Sequence, residues 1–192
     1  MSFRSYIQSL IDHQALSQVN MPISKELEIA GKLKKLEPAP VLFEQVNGSE
    51  FRVVGNLFCT KAAFAGYFGL APAQLIPALT GAIERRSPCP QVATAPCQEV
   101  VEAPVDLNKL PLLRHCAGDG GNYISAGVFI ARHPRYGQNL DFHRAMQLSP
   151  TELAFRVVRG LHFDTFLNEL GQVDVAVCIG LPPNVLAAAA TS

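Results

Sequence analysis

Asn139-Leu140-Asp141-Phe142-His143-Arg144-Ala145-Met146 gathers more polar chemistry inside an apolar frame than any other stretch of the chain. Ahead of it, Tyr123 to Ile130 is rich in β-branched and aromatic residues, as a central strand should be. His133-Pro134-Arg135-Tyr136-Gly137 reads as a tight connection to a second strand. That second strand carries Asp141, His143 and Arg144 where a bland core strand would carry Val or Ile. Polar groups that enter a core must be paired or functional, because each one left unsatisfied costs on the order of 1–3 kcal/mol. A strand with one solvated face is the structural alternative. Asn139 and Arg144 are five residues apart, roughly 16 Å along an extended strand. They can hold opposite ends of a long ligand, not a single small one. The odd spacing puts them on opposite faces of a regular strand, so Asn139 is expected in the connection or at a bulge.

Outward from this stretch, the 192 residues suit one large domain or two small ones, and 48% hydrophobic content is ample for a buried core. Sixteen Lys and Arg balance sixteen Asp and Glu, which argues against a nucleic-acid or anionic-membrane partner. The five cysteines (59, 89, 97, 116 and 178) form no Cys-x-x-Cys pair, so reduced thiols are expected, not a disulfide frame or a zinc site. The start of the chain is amphipathic and has no continuous apolar signal core. The longest apolar run, Val185 to Ala190, is far short of a membrane span. A cytoplasmic protein is expected.

Phe3, Tyr6, Ile7, Leu10 and Ile11 recur at helical spacing, which predicts a helix over 3–13. Ser24 is the expected N-cap of a second helix that Pro38 ends. Val41-Leu42-Phe43 and Phe51 to Val54 read as strands across the Asn47-Gly48 turn. Thr60 caps a helix from Lys61 to Phe68, Gly69 stops it, and a further helix runs from Ala73 to about Arg85. Ser87 to Pro96, with three prolines, reads as a linker. Cys97 to Val101 is a candidate strand. A β-rich unit follows, with strands near 122–132, 140–148, 153–158 and 173–179. A helix near 162–170 is stopped by Gly171, and Pro182-Pro183 opens a last helix. This alternation is an α+β fold, with one unit over 1–100, a second over 112–192 and a boundary between about 87 and 112.

Gly118-Asp119-Gly120-Gly121 lacks the Gly-x-Gly-x-x-Gly spacing and leads into strand, so it reads as a structural turn with Asp119 bonding the local backbone. His115 and Cys116 precede it, and burial is expected for Cys116.

Asn139-x4-Arg144-Ala145-Met146, with His162 eighteen residues after the arginine, resembles the UbiD-type decarboxylases that use prenylated FMN. Pro40 to Glu44, Val53 to Phe58 and Ala117 to Ile124 resemble the flanking segments of that family, in the family's order. The resemblance implies a small N-terminal α/β domain followed by part of a flavin-binding split β-barrel. It implies Asn139 and His162 as ligands of Mn²⁺ or Mg²⁺, in an oxygen-dominated shell that ties down the cofactor phosphate. K⁺ is a further ion that the resemblance suggests. Arg144 resembles the arginine over the reactive end of the flavin, and a guanidinium suits a carboxylate clamp. Phe142, His143, Arg156 and Leu161 are the remaining implied cofactor contacts. His143 has two readings, a hydrogen-bonding group for substrate or flavin and a satisfied core histidine.

The implied reaction is the reversible, non-oxidative decarboxylation of an aromatic or α,β-unsaturated acid. It needs carboxylates that the family carries beyond the position matching Ser192. Glu152 and Glu169 fall outside the matching motifs, and Asp141, Asp164 and Asp174 read as solvated or capping groups. The expectation is therefore the N-terminal part of a UbiD-like enzyme, inactive alone, that self-associates or takes a partner subunit supplying the missing half. The alternative is a non-catalytic flavin-fold module that binds FMN or a partner chain.

Overall fold

Val41-Leu42-Phe43 is apolar without alternation, the pattern of a strand covered on both faces. In the computed structural model these residues form β2 (Val41–Phe43), and all three are buried. The structure describes residues 1–85, 87 and 89–191. Pro88 of the expected linker, Arg86, and Ser192 of the expected second unit lie outside the described residues. β2 is the centre of a three-stranded sheet, parallel to β1 (Ser17–Val19) and antiparallel to β3 (Val53–Gly55). Val41 and Phe43 pack on one side with Ile29 and Leu33 of α2 (Glu28–Leu36). Leu42 packs on the other with Tyr6 and Ile7 of α1 (Phe3–Asp12). Gly55 lets α2 approach closely: a Cβ there would sit 2.5 Å from a Leu33 methyl.

α2 starts four residues later than its expected cap. Ser24 does not cap it; its hydroxyl takes the Glu26 N–H, and its own N–H goes to the Glu28 carboxylate. The N-cap is Leu27 at φ 65°, a conformation disfavoured by about 1 kcal/mol for a residue with a Cβ. It is held there from outside, because the Leu27 N–H donates to Arg114 O at 3.0 Å and the Arg114 N–H donates to Lys25 O at 3.1 Å. Asn122 adds a 2.8 Å hydrogen bond to Glu26, and Leu113 is buried with Ile29. α2 is thus the surface on which the second half of the chain docks. Thr60 caps α3 (Lys61–Tyr67) through the Ala63 N–H, and α4 (Leu75–Glu84) follows a short 3-10 turn.

No strand forms at Cys97–Val101; residues 96–98 make a single 3-10 turn in an exposed segment. The second half holds two open three-stranded sheets. One has β7 (Ala145–Gln147) between β4 (Tyr123–Ile124) and β8 (Leu153–Phe155). The other has β5 (Val128–His133) between β6 (Gly137–Phe142) and β9 (Val175–Cys178). The two long strands expected from sequence are therefore each broken, and the pieces go to different sheets. The break after Phe142 falls at His143-Arg144, where the core side chain and the exposed one part company. The sheets share one core with α5 (His162–Leu170), built on Phe129, Ala131, Ala145, Phe163 and Phe166. Gly171 ends α5 at φ 77°, and α6 (Pro183–Ala189) packs on β6. Among the described residues no single helix is long and apolar enough to cross a membrane.

Phe166 is 1% exposed and touches both the sheet and Phe163. Phe166→Ala is expected to cost about 3–5 kcal/mol in urea unfolding. Leu170→Ala, at the exposed end of the same helix, should cost under about 1 kcal/mol.

Candidate functional site

β6 pairs regularly with β5, Asn139 opposite Ala131 and Asp141 opposite Phe129. Asn139 therefore sits in neither the connection nor a bulge. It is an ordinary strand residue, 7% exposed, and faces the core beside Ala131. The odd spacing to Arg144 is absorbed at His143-Arg144 instead, where the chain leaves one sheet for the other. Asn139 Nδ2 donates to Asp141 Oδ2 at 2.7 Å, two residues along the same face. That bond orients the amide and leaves Oδ1 as an acceptor.

His143 continues this face into a cage of Phe129, Phe155 and Phe163, with ring centroids 4.9–5.2 Å away. Its Nε2 is buried and has no hydrogen-bond partner. The half-buried ring thus has the surroundings of a core histidine and one unsatisfied polar atom, a costly combination unless a ligand completes it.

Arg144 points the other way. Its side chain is 64% exposed, its Cζ lies 4.9 Å from the Tyr123 ring centroid, and its Nη2 is 3.8 Å from Asp119 Oδ1. Asp119 is fixed by its second oxygen, which takes the Cys116 N–H at 2.9 Å and the His115 N–H at 3.2 Å. Arg114 closes the same loop through the carbonyls of Ala117 and Asp119. The expected local role of Asp119 is therefore present, and its link to Arg144 is new. Sequence could have suggested that pair only through the β4–β7 register, which sets Tyr123 opposite Met146. Cys116, expected to be buried, is exposed at the lip of this loop.

His162 is the first residue of α5 and is exposed, with its ring 6.5 Å from that of Phe166. Leu161 occupies the N-cap position with no side-chain cap, and it too is exposed. Asp164 plays the capping part expected of it by taking the Gly160 N–H at 2.9 Å. Arg156 is exposed just beyond β8. The candidates thus divide. Asn139 and His143 share the face on which α5 packs, His162 and Leu161 stand at the start of that helix, and Arg144 lies beyond the strand break. Among the described residues no three His, Cys, Asp or Glu side chains converge as a metal cluster.

His133 was missed. It is buried on the same face as Asn139, and its Nδ1 accepts the Arg135 and Tyr136 N–H groups at 3.1 and 3.4 Å. Its Nε2 is 3.4 Å from Glu169 of α5, and the Tyr136 hydroxyl donates to the same carboxylate at 2.8 Å. That bond to Glu169, ahead of burial, raises the Tyr136 pKa. The trio ties the β5–β6 turn to the C-terminal end of α5. The signal in sequence was a histidine at the end of an apolar strand, which reads equally well as a turn residue.

The fold superposes on solved enzymes of the UbiD class. HmfF from Pelotomaculum thermopropionicum, solved with FMN, matches 97% of this chain and 44% of its own, with TM-score 0.90 and 30% identity. An evolved dimeric form of the same enzyme, in complex with prFMN, matches with TM-score 0.89 and 30% identity over 96% of this chain and 45% of its own. The chain belongs to the UbiD family: residues 7–83 match the 3-octaprenyl-4-hydroxybenzoate carboxy-lyase N-terminal domain, and residues 90–192 match its Rift-related domain. Anhydromevalonate phosphate decarboxylase of Methanosarcina mazei is 31% identical over all of this chain and 45% of its own length. That of Methanocaldococcus jannaschii is 33% identical over 88% of this chain and 40% of its own. The chain therefore spans just under half the length of these relatives.

The Asp119 carboxyl lies below its ordinary pKa, first because the Cys116 N–H donates to it; burial opposes this, and the His115 N–H and then Arg144 add to it. Its stabilising contribution is full above the unfolded value of about 4 and is lost as pH falls through the lower folded value. Asp119→Asn is expected to lower the melting temperature at neutral pH, with the gap to the parent protein closing as the pH drops below about 4. A gap independent of pH would remove the charge from this account.

Proposed function

We propose that this chain provides the cofactor-holding part of a UbiD-type carboxy-lyase acting on an aromatic or α,β-unsaturated carboxylic acid with prenylated FMN. The observation that supports it most is the match, over nearly the whole chain, to a UbiD-class enzyme solved with FMN and, in an evolved form, with prFMN. When bound, the modified flavin supplies the covalent and electronic chemistry of CO₂ loss; the protein supplies binding, orientation and charge.

The donor set fits such a group in part. Asn139 Oδ1 is an unused acceptor, and the His162 imidazole is exposed at a helix start. These are two ligands of the kinds that Mn²⁺ or Mg²⁺ accepts, and an octahedral ion needs more. The rest would come from the cofactor phosphate and from a carboxylate outside these residues. The buried, unpartnered His143 Nε2 is suited to hydrogen-bond the cofactor, and the exposed Phe142 ring to pack against it. Arg156 and Leu161 are exposed on the approach to α5 and remain assigned to the cofactor's rim.

Arg144 is the residue for the substrate acid. Tyr123 lies against its guanidinium and Asp119 approaches Nη2 at 3.8 Å, while the side chain stays 64% exposed with N–H groups left to take a substrate carboxylate. A proton donor for the carbon that loses CO₂ is assigned to the part of the relatives' length that this chain does not span. Among the described residues, both sheets of the second half leave strands with one unpaired side, β6 and β9 in one and β8 in the other. Such edges favour pairing with further chain, from a partner subunit or a second copy.

The test is co-expression with a flavin prenyltransferase in Mn²⁺-supplemented medium. Purified protein should carry one modified flavin and one metal ion, and His162→Ala should lose the metal. A folded, colourless, metal-free preparation would contradict cofactor binding by these residues. With the remaining family segments supplied, Arg144→Ala should lower decarboxylation by about 100-fold or more while retaining cofactor.

A further inference from the structure

Asp141 puts a carboxylate at a half-buried position of β6, opposite Phe129 of β5. It stands within the strand, so it caps no helix. Taking part of a carboxylate out of water costs free energy that a hydrogen-bonded partner must offset. That partner is Asn139, two residues back on the same face, whose Nδ2 donates to Asp141 Oδ2 at 2.7 Å. The length is that of a charge-assisted bond. Asn139 is 7% exposed, so water has little access to compete for its amide. An ionised carboxylate only accepts, so the amide turns its NH₂ to Asp141 and its oxygen elsewhere. Without this neighbour the amide has two orientations of the same shape, and one of them turns N–H groups toward a cation.

We propose that Asp141 is a positioning residue for the metal: it locks the Asn139 amide with Oδ1 left for the ion, and its charge, passed through the shared N–H, makes that oxygen a stronger ligand. The inference rests on the reading of Asn139 and His162 as ligands of one divalent ion, and it gives Asp141 no bond to the ion. Magnitude separates the two contributions. An amide merely freed to flip would be misoriented in half of the molecules, which weakens binding only about twofold. Removing the outer partner of a metal ligand lowers metal affinity by about 10–100-fold. A loss of about tenfold or more therefore reports the carboxylate's charge as well as its hold on the amide.

The experiment is titration of the chain with Mn²⁺ in the presence of saturating FMN, with free Mn²⁺ read by electron paramagnetic resonance. Asp141→Ala should weaken Mn²⁺ by about tenfold or more. Asp141→Asn keeps an acceptor of the same shape but no charge, and it allows both amide orientations, so its affinity should fall between the two. Asp174→Ala removes the same charge from an exposed residue ahead of β9 and should bind Mn²⁺ like the parent. In NMR spectra of the metal-free parent, the two Asn139 side-chain N–H protons should be widely separated, and they should draw together in Asp141→Ala. Parental affinity in both Asp141 variants, with the ion lost from His162→Ala, overturns the proposal and leaves the cofactor reading standing. An equal loss in Asp174→Ala also overturns it, because general charge would then suffice. If Asp141→Ala does not fold, Asp141→Asn decides, and parental affinity there overturns the proposal. A parent chain that takes no Mn²⁺ overturns this inference and the cofactor reading together.

Discussion

The second half of the molecule depends on the contact of Phe163 and Phe166 with the face of the β6–β5–β9 sheet. Those two rings fix where α5 begins, and so where His162 stands relative to Asn139 on the strand beneath. His133, Tyr136 and Glu169 secure the far end of the helix, so the contact is held at both ends. Burying two phenylalanines contributes roughly 3–6 kcal/mol, a sizeable share of the 5–15 kcal/mol by which a domain is stable. His143 lies in the same layer, its ring against Phe163. A helix displaced by one residue would open the cage around His143.

A second constraint joins the halves. Leu27 takes a left-handed backbone because Arg114 accepts its N–H, and the turn ahead of α2 can then present Glu26 to Asn122. The family's two matched segments, 7–83 and 90–192, therefore meet through backbone and not only through apolar surface. The loop that orients Arg144 is tied to this docking. Arg114 belongs to that loop, through its bonds to Ala117 and Asp119.

Much of this was legible in the residues. Periodicity was enough for α1, cap and stop residues for α3, α5 and α6, and the apolar run at 41–43 marked the buried strand. Ser24 misled because a serine ahead of a helical run looks like a cap whether or not distant backbone claims the turn. β1 was invisible, since Ser17-Gln18-Val19 has no strand pattern of its own and exists by pairing with β2. The strand break at His143-Arg144 was missed because alternation fails there for the same reason that the site is interesting. One residue must stay with the phenylalanines and the next must leave. Asn139, Arg144 and His162 were readable as a motif. The Asp119 and Tyr123 support of Arg144 was not, because register between strands carries no local signal.

The central claim is that the Asn139 amide and the His162 imidazole serve one ion at one end of a flavin, with Arg144 at the other. Diffraction from the cofactor-loaded protein at the manganese absorption edge tests it most directly. The account predicts a single anomalous peak contacting Asn139 Oδ1 and a ring nitrogen of His162. A peak bound by other residues, or flavin held with no metal at these two side chains, would contradict it.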